Sequence, residues 1–294
     1  MKNIIISVIV FLISLTLGFA IQISTQNTFM LGGVFIVLTL VVFTIQWLAY
    51  IPAVILKTEK FYDLTGSLTY LICILVSLVY LSEFNQRSVI ITAIVSLWAL
   101  RLGSFLFIRI AKDGKDRRFD EIKVNPSRFF VTWNLQGLWV CVTSCAAWAG
   151  ITLSYNKPEL SIIGWLGLAL WCIGFTIEVI ADWQKSQFKA DKGNQGKFIQ
   201  SGLWSICRHP NYLGEIVLWT GVFTISSEVL FGSTWATAIS PFFVYFLLTK
   251  ISGVPLLTKQ AKKKWGDDSH WQDYFENTPA ILPYKLPQKR SHLK

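Results

Sequence analysis

The sequence predicts an all-α fold: a multi-pass transmembrane helical bundle of about eight spans, with a short amphipathic cytosolic segment near its C-terminal end. Composition is the first indication, because 53% of the 294 residues are hydrophobic and only 15% are charged, whereas soluble proteins carry roughly 25% charged residues. Long apolar runs are the second, since about 20 such residues cross the hydrocarbon layer as a helix. Helices satisfy their own backbone hydrogen bonds in lipid, so these runs predict helices.

Eight apolar runs are predicted to span the membrane, and they lie at residues 4–23, 31–56, 65–81, 88–110, 129–152, 161–183, 212–229 and 233–252. Residues 1–44 are interpreted as N-terminal membrane spans and residues 288–294 as a basic tail. A cleaved signal peptide is an alternative interpretation of the first run, which follows a lysine and ends in Gly-Phe-Ala.

Basic residues are concentrated in alternate loops, and this pattern predicts the orientation. The loops at 111–128 and 184–211 are rich in lysine and arginine, whereas residues 24–30 carry no charge and two other loops carry one basic residue each, Arg87 and Lys157. Because cytoplasmic loops carry the excess of basic residues, both termini are predicted to be cytoplasmic. The same rule explains the net charge of +10, so no nucleic-acid partner is predicted.

The cysteines predict neither a disulfide framework nor a metal site. Four of them lie within the predicted spans: Cys73, Cys141, Cys145 and Cys172. Buried cysteine serves there as a small apolar residue. Cys141 and Cys145 share a helix face without a histidine or carboxylate beside them, so no metal is predicted.

Ionisable residues at the ends of the runs are the candidate functional groups, because charges inside a bilayer are costly and usually functional. They are Glu59, Asp63, Arg101, Arg109, Glu178, Asp182 and the segment Arg208–Glu215. They are predicted to converge on one cavity that opens to the cytosol. Alternative roles are snorkelling of Arg109 to the headgroups, a cap or ion pair for Asp182, and simple packing for Arg101.

The spacing of these residues predicts a nucleotide-type cofactor. Glu178 and Asp182 are four residues apart and share a helix face near Lys185, and Asn211 and Glu215 are also four apart. Arginine and lysine suit phosphate groups, while carboxylates and asparagine suit ribose hydroxyls or a carboxamide. This pattern does not distinguish a nicotinamide cofactor from S-adenosylmethionine.

Three motifs in order resemble a known family: "LWALRLGSFLFIRI", "EVIADWQKSQF" and "GLWSICRHPNYLGEI". Together they resemble the steroid 5α-reductase C-terminal-domain superfamily, over about residues 45–287, and its bacterial multi-pass branch in particular. The element "RHPNY" alone is less specific, because isoprenylcysteine and phospholipid methyltransferases carry a similar one. The bacterial branch implies the bacterial inner membrane rather than the endoplasmic reticulum.

The resemblance implies NADPH-dependent reduction of a carbon–carbon double bond conjugated to a carbonyl, in a lipidic substrate. It assigns cofactor binding to Arg101, Asp182 and Asn211, and Glu178 stands where the family has a cofactor-binding asparagine. Glu215 matches a family glutamate and is interpreted as catalytic. The predicted cofactor set is completed by Arg208, Tyr212, Lys185 and Trp271, the last of which lies in an aromatic and basic segment that resembles a lid.

The proton donor is predicted to be Asp63, with Tyr62 as second candidate. Trp98 stands where steroid reductases have a tyrosine that bonds the substrate carbonyl, so Trp98 is assigned to substrate binding and a steroid is not predicted. An indole is a poor proton source, whereas a carboxyl group in an apolar cavity can keep its proton. The alternative role of Asp63 is an N-cap of the third span.

Two other functions stay open: an S-adenosylmethionine-dependent membrane methyltransferase and a non-enzymatic lipid-binding bundle. The methyltransferases carry a pair of glutamates after their "RHP" helix, and the C-terminal segment here lacks such a pair. His209 is interpreted as part of a turn with Pro210, with a general acid as the alternative. The expected partners are a lipidic small molecule and membrane lipids, and the protein is expected to be a monomer.

Overall fold

The computed structural model describes residues 1–25, 33–81 and 83–282, and within them it is helical without a β-strand. This confirms the predicted all-α, multi-pass bundle. The predicted basic tail at 288–294 lies outside the described residues. The division at residue 44 into N-terminal spans and a second domain stays a prediction.

Ten α-helices are described, and their bounds are α1 Lys2–Gln22, α2 Val34–Ile55, α3 Tyr62–Val79, α4 Gln86–Asp113, α5 Pro126–Thr152, α6 Ile162–Ala190, α7 Pro210–Ser227, α8 Ile239–Phe246, α9 Val254–Trp265 and α10 Ser269–Asn277. A π-helical turn, Leu247–Ile251, follows α8. The helix α4 begins with a capping box in which the Asn85 side chain accepts from the Ser88 N–H, and it ends at Gly114, whose φ is +78°.

Seven described segments are long and apolar enough to cross a membrane: Lys2–Thr25, Val34–Ile55, Tyr62–Val79, Gln86–Asp113, Pro126–Asn156, Ile162–Ala190 and Gly232–Trp265. The predicted seventh span, at 212–229, is not among them. Its helix, α7, begins with Pro210 and carries Asn211, Tyr212 and Glu215 in its first turns, which lowers its hydropathy.

The chain divides into two compact units. Of the described residues, those within 1–167 and 222–240 form unit 1, and those within 168–221 and 241–282 form unit 2. In unit 1, α5 packs against α1, α2, α3 and α4, and 89% of its apolar stretch is buried. Its small residues, such as Ala146 and Gly150, permit this close approach of neighbouring helices.

Unit 2 contains the crossing of α6 and α7 and the short helices α9 and α10. The helix α9 is amphipathic: Leu257 and Ala261 are partly buried, whereas Lys259, Lys262 and Lys263 are exposed. The indole N–H of Trp265, at the end of α9, donates to the Gly196 carbonyl at 2.5 Å. The predicted amphipathic C-terminal segment is therefore present and is held against the 191–202 loop.

Candidate functional site

In unit 2, α6 and α7 cross at two glycines. A Cβ on Gly214 would lie 2.6 Å from both the Glu178 nitrogen and the Gly174 carbonyl oxygen, and a Cβ on Gly174 would meet the backbone at Leu218. Only glycine allows two helix backbones to approach this closely. Gly174 lies beside Leu218 and Glu178 lies beside Gly214, so the two helices run antiparallel at the crossing.

This crossing buries three carboxylates on facing helices. Glu178 lies directly beside Gly214, and Asp182 follows one turn later on the same face of α6, toward the first turn of α7. The exposed fractions of Glu178, Asp182 and Glu215 are 3%, 6% and 8%. Glu178 and Asp182, the acidic members of the predicted cofactor set, are therefore both buried on α6, and Glu215, which is predicted to be catalytic, is buried on α7 next to Gly214. Asn211 is partly buried in the first turn of α7.

The entrance of α7 is fastened to the segment after α10. The backbone N–H of Arg208 donates to the Pro279 carbonyl at 2.9 Å, and the N–H of His209 donates to the Ala280 carbonyl at 3.1 Å. The Arg208 guanidinium carbon lies 3.8 Å from the Phe275 ring centroid, which is a cation–π contact. Phe275 stacks on Trp271 with ring centroids 5.0 Å apart. The predicted lid residue Trp271 and Arg208 therefore share one aromatic partner.

A second cation of the predicted set, Lys185, also lies on an aromatic face. Its Nζ atom is 4.6 Å from the Trp204 ring centroid. Trp204 is buried and fixed at both ends, because its indole N–H donates to the Ala181 carbonyl at 3.1 Å and its own carbonyl accepts from the Tyr274 hydroxyl at 2.6 Å. Trp204 thus connects the end of α6 with α10.

The aromatic residues Trp204, Tyr274 and Phe275 were not singled out from the sequence. Tyr274 and Phe275 could have been predicted, because they follow Trp271 by three and four residues in "WQDYFEN" and therefore share its helix face. Trp204 lies four residues before Arg208, within the motif itself. Aromatic residues at such positions are more often core residues, so the pattern alone does not assign them to a site.

His209 is buried and stacks on Tyr212, with ring centroids 5.4 Å apart and an interplanar angle of 15°. Its Nδ1 atom has no hydrogen-bond partner among residues 1–25, 33–81 and 83–282. Burial, together with the charges of Lys185 and Arg208, lowers the pKa of His209 to about 3. This favours a neutral imidazole at physiological pH. The alternative role of His209 as a general acid stays a prediction. It directly precedes Pro210, the first residue of α7.

In unit 1, Asp63 lies between two arginines. Its Oδ2 atom is 3.7 Å from an Arg109 nitrogen and 3.9 Å from an Arg118 nitrogen. The N-cap of α3 is Phe61, which makes no side-chain capping bond, and Asp63 lies inside the first turn. The alternative prediction that Asp63 caps this helix is therefore wrong. Its role as proton donor stays a prediction.

The loop between α4 and α5 holds Arg118 in place. Asp116 binds Arg118 through both carboxylate oxygens, and the Asp116 N–H donates to Glu59 at 2.9 Å. Glu59 also accepts from Lys123 at 2.6 Å. Burial raises the pKa of Asp116, but the hydrogen bonds and charge of Arg118 outweigh it and leave that pKa below its usual value. The sequence predicts only a cytoplasmic loop here, whereas the structure shows an ordered, charged loop that supports Asp63.

Tyr62 and Trp98 are both engaged in packing within unit 1. The Tyr62 hydroxyl donates to the Thr132 carbonyl at 3.0 Å, and its ring packs edge-on against Phe119 and Trp133. Trp98 is buried and meets the Tyr70 ring at 5.1 Å in an edge-to-face contact. The Tyr62 proton is thus already used in a structural hydrogen bond.

Arg101, the remaining member of the predicted set, also belongs to unit 1. It lies on α4, with its guanidinium carbon 5.3 Å from the Phe105 ring centroid. The predicted convergence of Arg101 and Asp63 with the residues of unit 2 stays a prediction.

A metal site is a separate question. Among the described residues, no three His, Cys, Asp or Glu side chains are grouped as metal ligands.

The fold is that of a multi-pass, all-helical membrane protein with buried polar groups at helix ends. The chain belongs to the family described as a protein of unknown function, DUF1295, whose model matches residues 47–278, more than half of the chain. The resemblance inferred from the three motifs is therefore confirmed.

Two curated relatives carry named activities. A probable O-methyltransferase from Ustilaginoidea virens is 28% identical over 139 residues, which cover 46% of this chain and 44% of the relative. A steroid 5-alpha-reductase from Solanum lycopersicum is 30% identical over 119 residues, which cover 40% of this chain and 41% of the relative. The chain thus spans less than half the length of the curated relatives it matches. No solved structure shows a significant match.

Proposed function

We propose that this protein is a membrane-embedded, NADPH-dependent oxidoreductase that reduces a conjugated carbon–carbon double bond in a lipidic substrate. The observation that carries the proposal is the arrangement in unit 2, where buried carboxylates on α6 and α7 accompany two cations held on aromatic faces. The partial similarity to a steroid 5-alpha-reductase favours a reductase.

The residues of unit 2 fit a dinucleotide by their chemistry. Lys185 and Arg208 would bind phosphate oxygens through charge-assisted hydrogen bonds. Asp182 and Glu178 would accept from ribose hydroxyls, and Asn211 would bond the carboxamide. His209 supports this fit, since a neutral, buried imidazole with an unused Nδ1 atom can bond a ligand without adding charge. Trp271 offers an aromatic face, and Arg101 in unit 1 is proposed as a further cofactor contact.

The group that donates a proton to the substrate is proposed to lie in unit 1. NADPH, when bound, supplies a hydride to one carbon of the double bond. The chain must then stabilise charge on the carbonyl oxygen and provide a proton, and these tasks are assigned to Asp63. Arg109 and Arg118 fix the position of its carboxyl group, while Tyr62 is the second candidate. Glu215 is proposed to orient the reacting end of the cofactor, and Trp98 to contact the substrate.

A membrane methyltransferase that uses S-adenosylmethionine is the second candidate function, because the similarity to a probable O-methyltransferase extends over 139 residues. The two candidates differ in the nucleotide they retain. Protein purified in mild detergent is therefore incubated with NADPH or S-adenosylmethionine, separated from free ligand and analysed by mass spectrometry. Retention of NADP(H) supports the reductase, retention of S-adenosylmethionine supports the methyltransferase, and retention of neither supports a non-enzymatic lipid-binding bundle.

The activity itself is tested by incubating the protein and NADPH with lipid extracts. The proposed reaction adds two hydrogens to one lipid, so a mass gain of one hydrogen molecule is the signature. The variant Asp63→Asn is expected to keep NADPH retention and lose turnover. Turnover that is unchanged in Asp63→Asn contradicts the assignment of the proton to this residue.

The location is proposed as a bacterial inner membrane, with both termini in the cytoplasm and a monomeric state. Two cytoplasmic termini require an even number of crossings, so the proposal includes α7 as an eighth crossing beside the seven apolar segments. The basic loops 111–128 and 184–211 support this orientation. Cysteine labelling from outside intact cells tests it, since a cysteine introduced at Lys192 is expected to stay protected and one at Lys157 to react.

A further inference from the structure

A fully buried arginine organises one end of unit 1. Arg87 is 0% exposed, and its guanidinium lies 2.9 Å from the Glu228 carboxylate. It also donates to the Lys157 carbonyl at 2.9 Å, to the Glu159 carbonyl at 2.7 Å and to the Ile225 carbonyl. One side chain therefore ties the α5–α6 connection to the end of α7 within this unit.

The Glu228 carboxylate is fitted into this arrangement by a glycine. A Cβ on Gly164 would collide with its Oε2 atom and with Leu160, so a side chain at that position would displace the carboxylate. Ser161 also hydrogen-bonds to Glu228. Burial raises the pKa of Glu228, but the hydrogen bonds of Ser161 and Arg87 outweigh it and keep that pKa below its usual value. The ion pair with Arg87 is therefore maintained.

A cavity of about 790 Å³ opens between the segments that Arg87 ties together. Its lining includes Lys157, Glu159, Leu160, Ile163, Glu228 and Trp235. This volume lies within the range of roughly 300–1,000 Å³ that is typical of small-molecule sites. Arg87 fixes the Lys157–Glu159 segment and Glu228, which form part of the lining, relative to each other. None of the residues assigned to the cofactor, the substrate or the proton lines it.

The lining is charged on one side and apolar on the other, and this division follows the ends of the membrane spans. Lys157 and Glu159 are exposed and lie in the connection between the spans Pro126–Asn156 and Ile162–Ala190. Ile163 and Trp235 lie inside spans and are 53% and 49% exposed. The charged part is thus at headgroup level and the apolar part at the start of the hydrocarbon. Tryptophan is enriched at this level of membrane proteins.

We propose that this cavity binds one zwitterionic phospholipid of the surrounding bilayer, of the phosphatidylethanolamine type. Glu159 accepts from the ammonium group, Lys157 binds the phosphate, and an acyl chain follows Ile163 and Trp235. The opposite charges of Lys157 and Glu159 match a zwitterionic headgroup, whereas the neutral glycerol of phosphatidylglycerol offers Glu159 no cation to bind. This site does not depend on the proposed reductase function.

The test is native mass spectrometry of the full-length protein released from nanodiscs that contain phosphatidylethanolamine, alone or mixed with phosphatidylglycerol. The wild type is expected to retain one phosphatidylethanolamine per chain. The double variant Lys157→Gln/Glu159→Gln changes only exposed side chains, so its fold should persist. Its occupancy is expected to fall at least about tenfold, which corresponds to about 1.4 kcal/mol. The variant Asn156→Trp, which fills the cavity mouth and keeps both charges, should lose the lipid as well.

The matched control is Lys189→Gln/Glu276→Gln, which removes one exposed positive and one exposed negative charge from unit 2. It is expected to retain the lipid like the wild type. Equal retention by all variants overturns the proposal, and so does a preference for phosphatidylglycerol. NADP(H) retention measured on the same samples should not differ among the variants, so failure of this proposal is distinguishable from failure of the proposed function.

Discussion

The crossing of α6 and α7 gives the most direct structural prediction, made with the substitution Gly214→Ala. The added Cβ would lie 2.6 Å from the Glu178 nitrogen and from the Gly174 oxygen. Ordinary carbon contacts begin near 3.4 Å, so the helices must separate by several tenths of an ångström. Both contacts are backbone atoms that cannot rotate away. Overpacking of this kind costs about 1–3 kcal/mol.

The same separation moves Glu178 and Asp182 on α6 away from Asn211 and Glu215 on α7. If these residues bind one nucleotide, Gly214→Ala should weaken NADPH binding at least about tenfold, a loss of about 1.4 kcal/mol. Nicotinamide fluorescence measures this binding, and thermal unfolding of the detergent-solubilised protein measures stability. The control is Gly193→Ala, because a Cβ there approaches only the Asp191 side chain. Unchanged affinity and stability in Gly214→Ala would refute the reasoning.

Three further predictions concern single side chains. Arg87→Met leaves the Glu228 carboxylate buried without its cation, and it should destabilise the protein by about 3–5 kcal/mol in thermal or denaturant unfolding; a stability equal to the wild type would contradict this. The pKa of His209 is lowered to about 3 in the folded protein, whereas it is about 6.5 in the unfolded chain. The unfolded chain therefore takes up a proton first, so the protein keeps its full stability above about pH 6.5 and loses stability as the pH falls toward 3. His209→Gln should flatten this acid dependence in melting curves, and an unaltered curve would disprove it. Tyr62→Phe removes one hydrogen bond to Thr132, so it should cost about 1 kcal/mol of stability and leave turnover intact, whereas lost turnover would make Tyr62 the proton donor.

The helical fold could be predicted because long apolar runs have one main solution in lipid. The exception, α7, shows the limit of that reasoning. Its first turns carry Asn211, Tyr212 and Glu215, and the polar residues that marked it as functional are the same ones that make it a poor span. At such a helix, the same polar residues favour a functional site and argue against a membrane span.

The residues of unit 2 could be predicted in part, because helical spacing places Glu178 with Asp182 on one face. The crossing itself was not predicted, since it depends on Gly174 and Gly214, which are far apart in the sequence. A glycine in an apolar run gives no indication of which helix it meets.

Arg87 and Glu228 show why other features were missed. In the sequence, Arg87 is only the single basic residue of a short loop, and its partner lies 141 positions further along the chain. Periodicity and local motifs report on neighbours within a few turns. An ion pair formed by distant loops becomes visible only when the fold brings them together.

The central claim is that the polar residues of unit 2 bind NADPH. The most direct test is to titrate the purified protein with NADPH and to record nicotinamide fluorescence, for the wild type and for the variants Arg208→Ala and Asn211→Ala. Lys189→Ala is the matched control, since Lys189 is an exposed cation near the end of α6. We predict saturable NADPH binding to the wild type and to Lys189→Ala. Binding should be lost in both Arg208→Ala and Asn211→Ala, while the helical content of these variants is unchanged. Absence of NADPH binding to the wild type, or equal binding to all four proteins, would contradict the account.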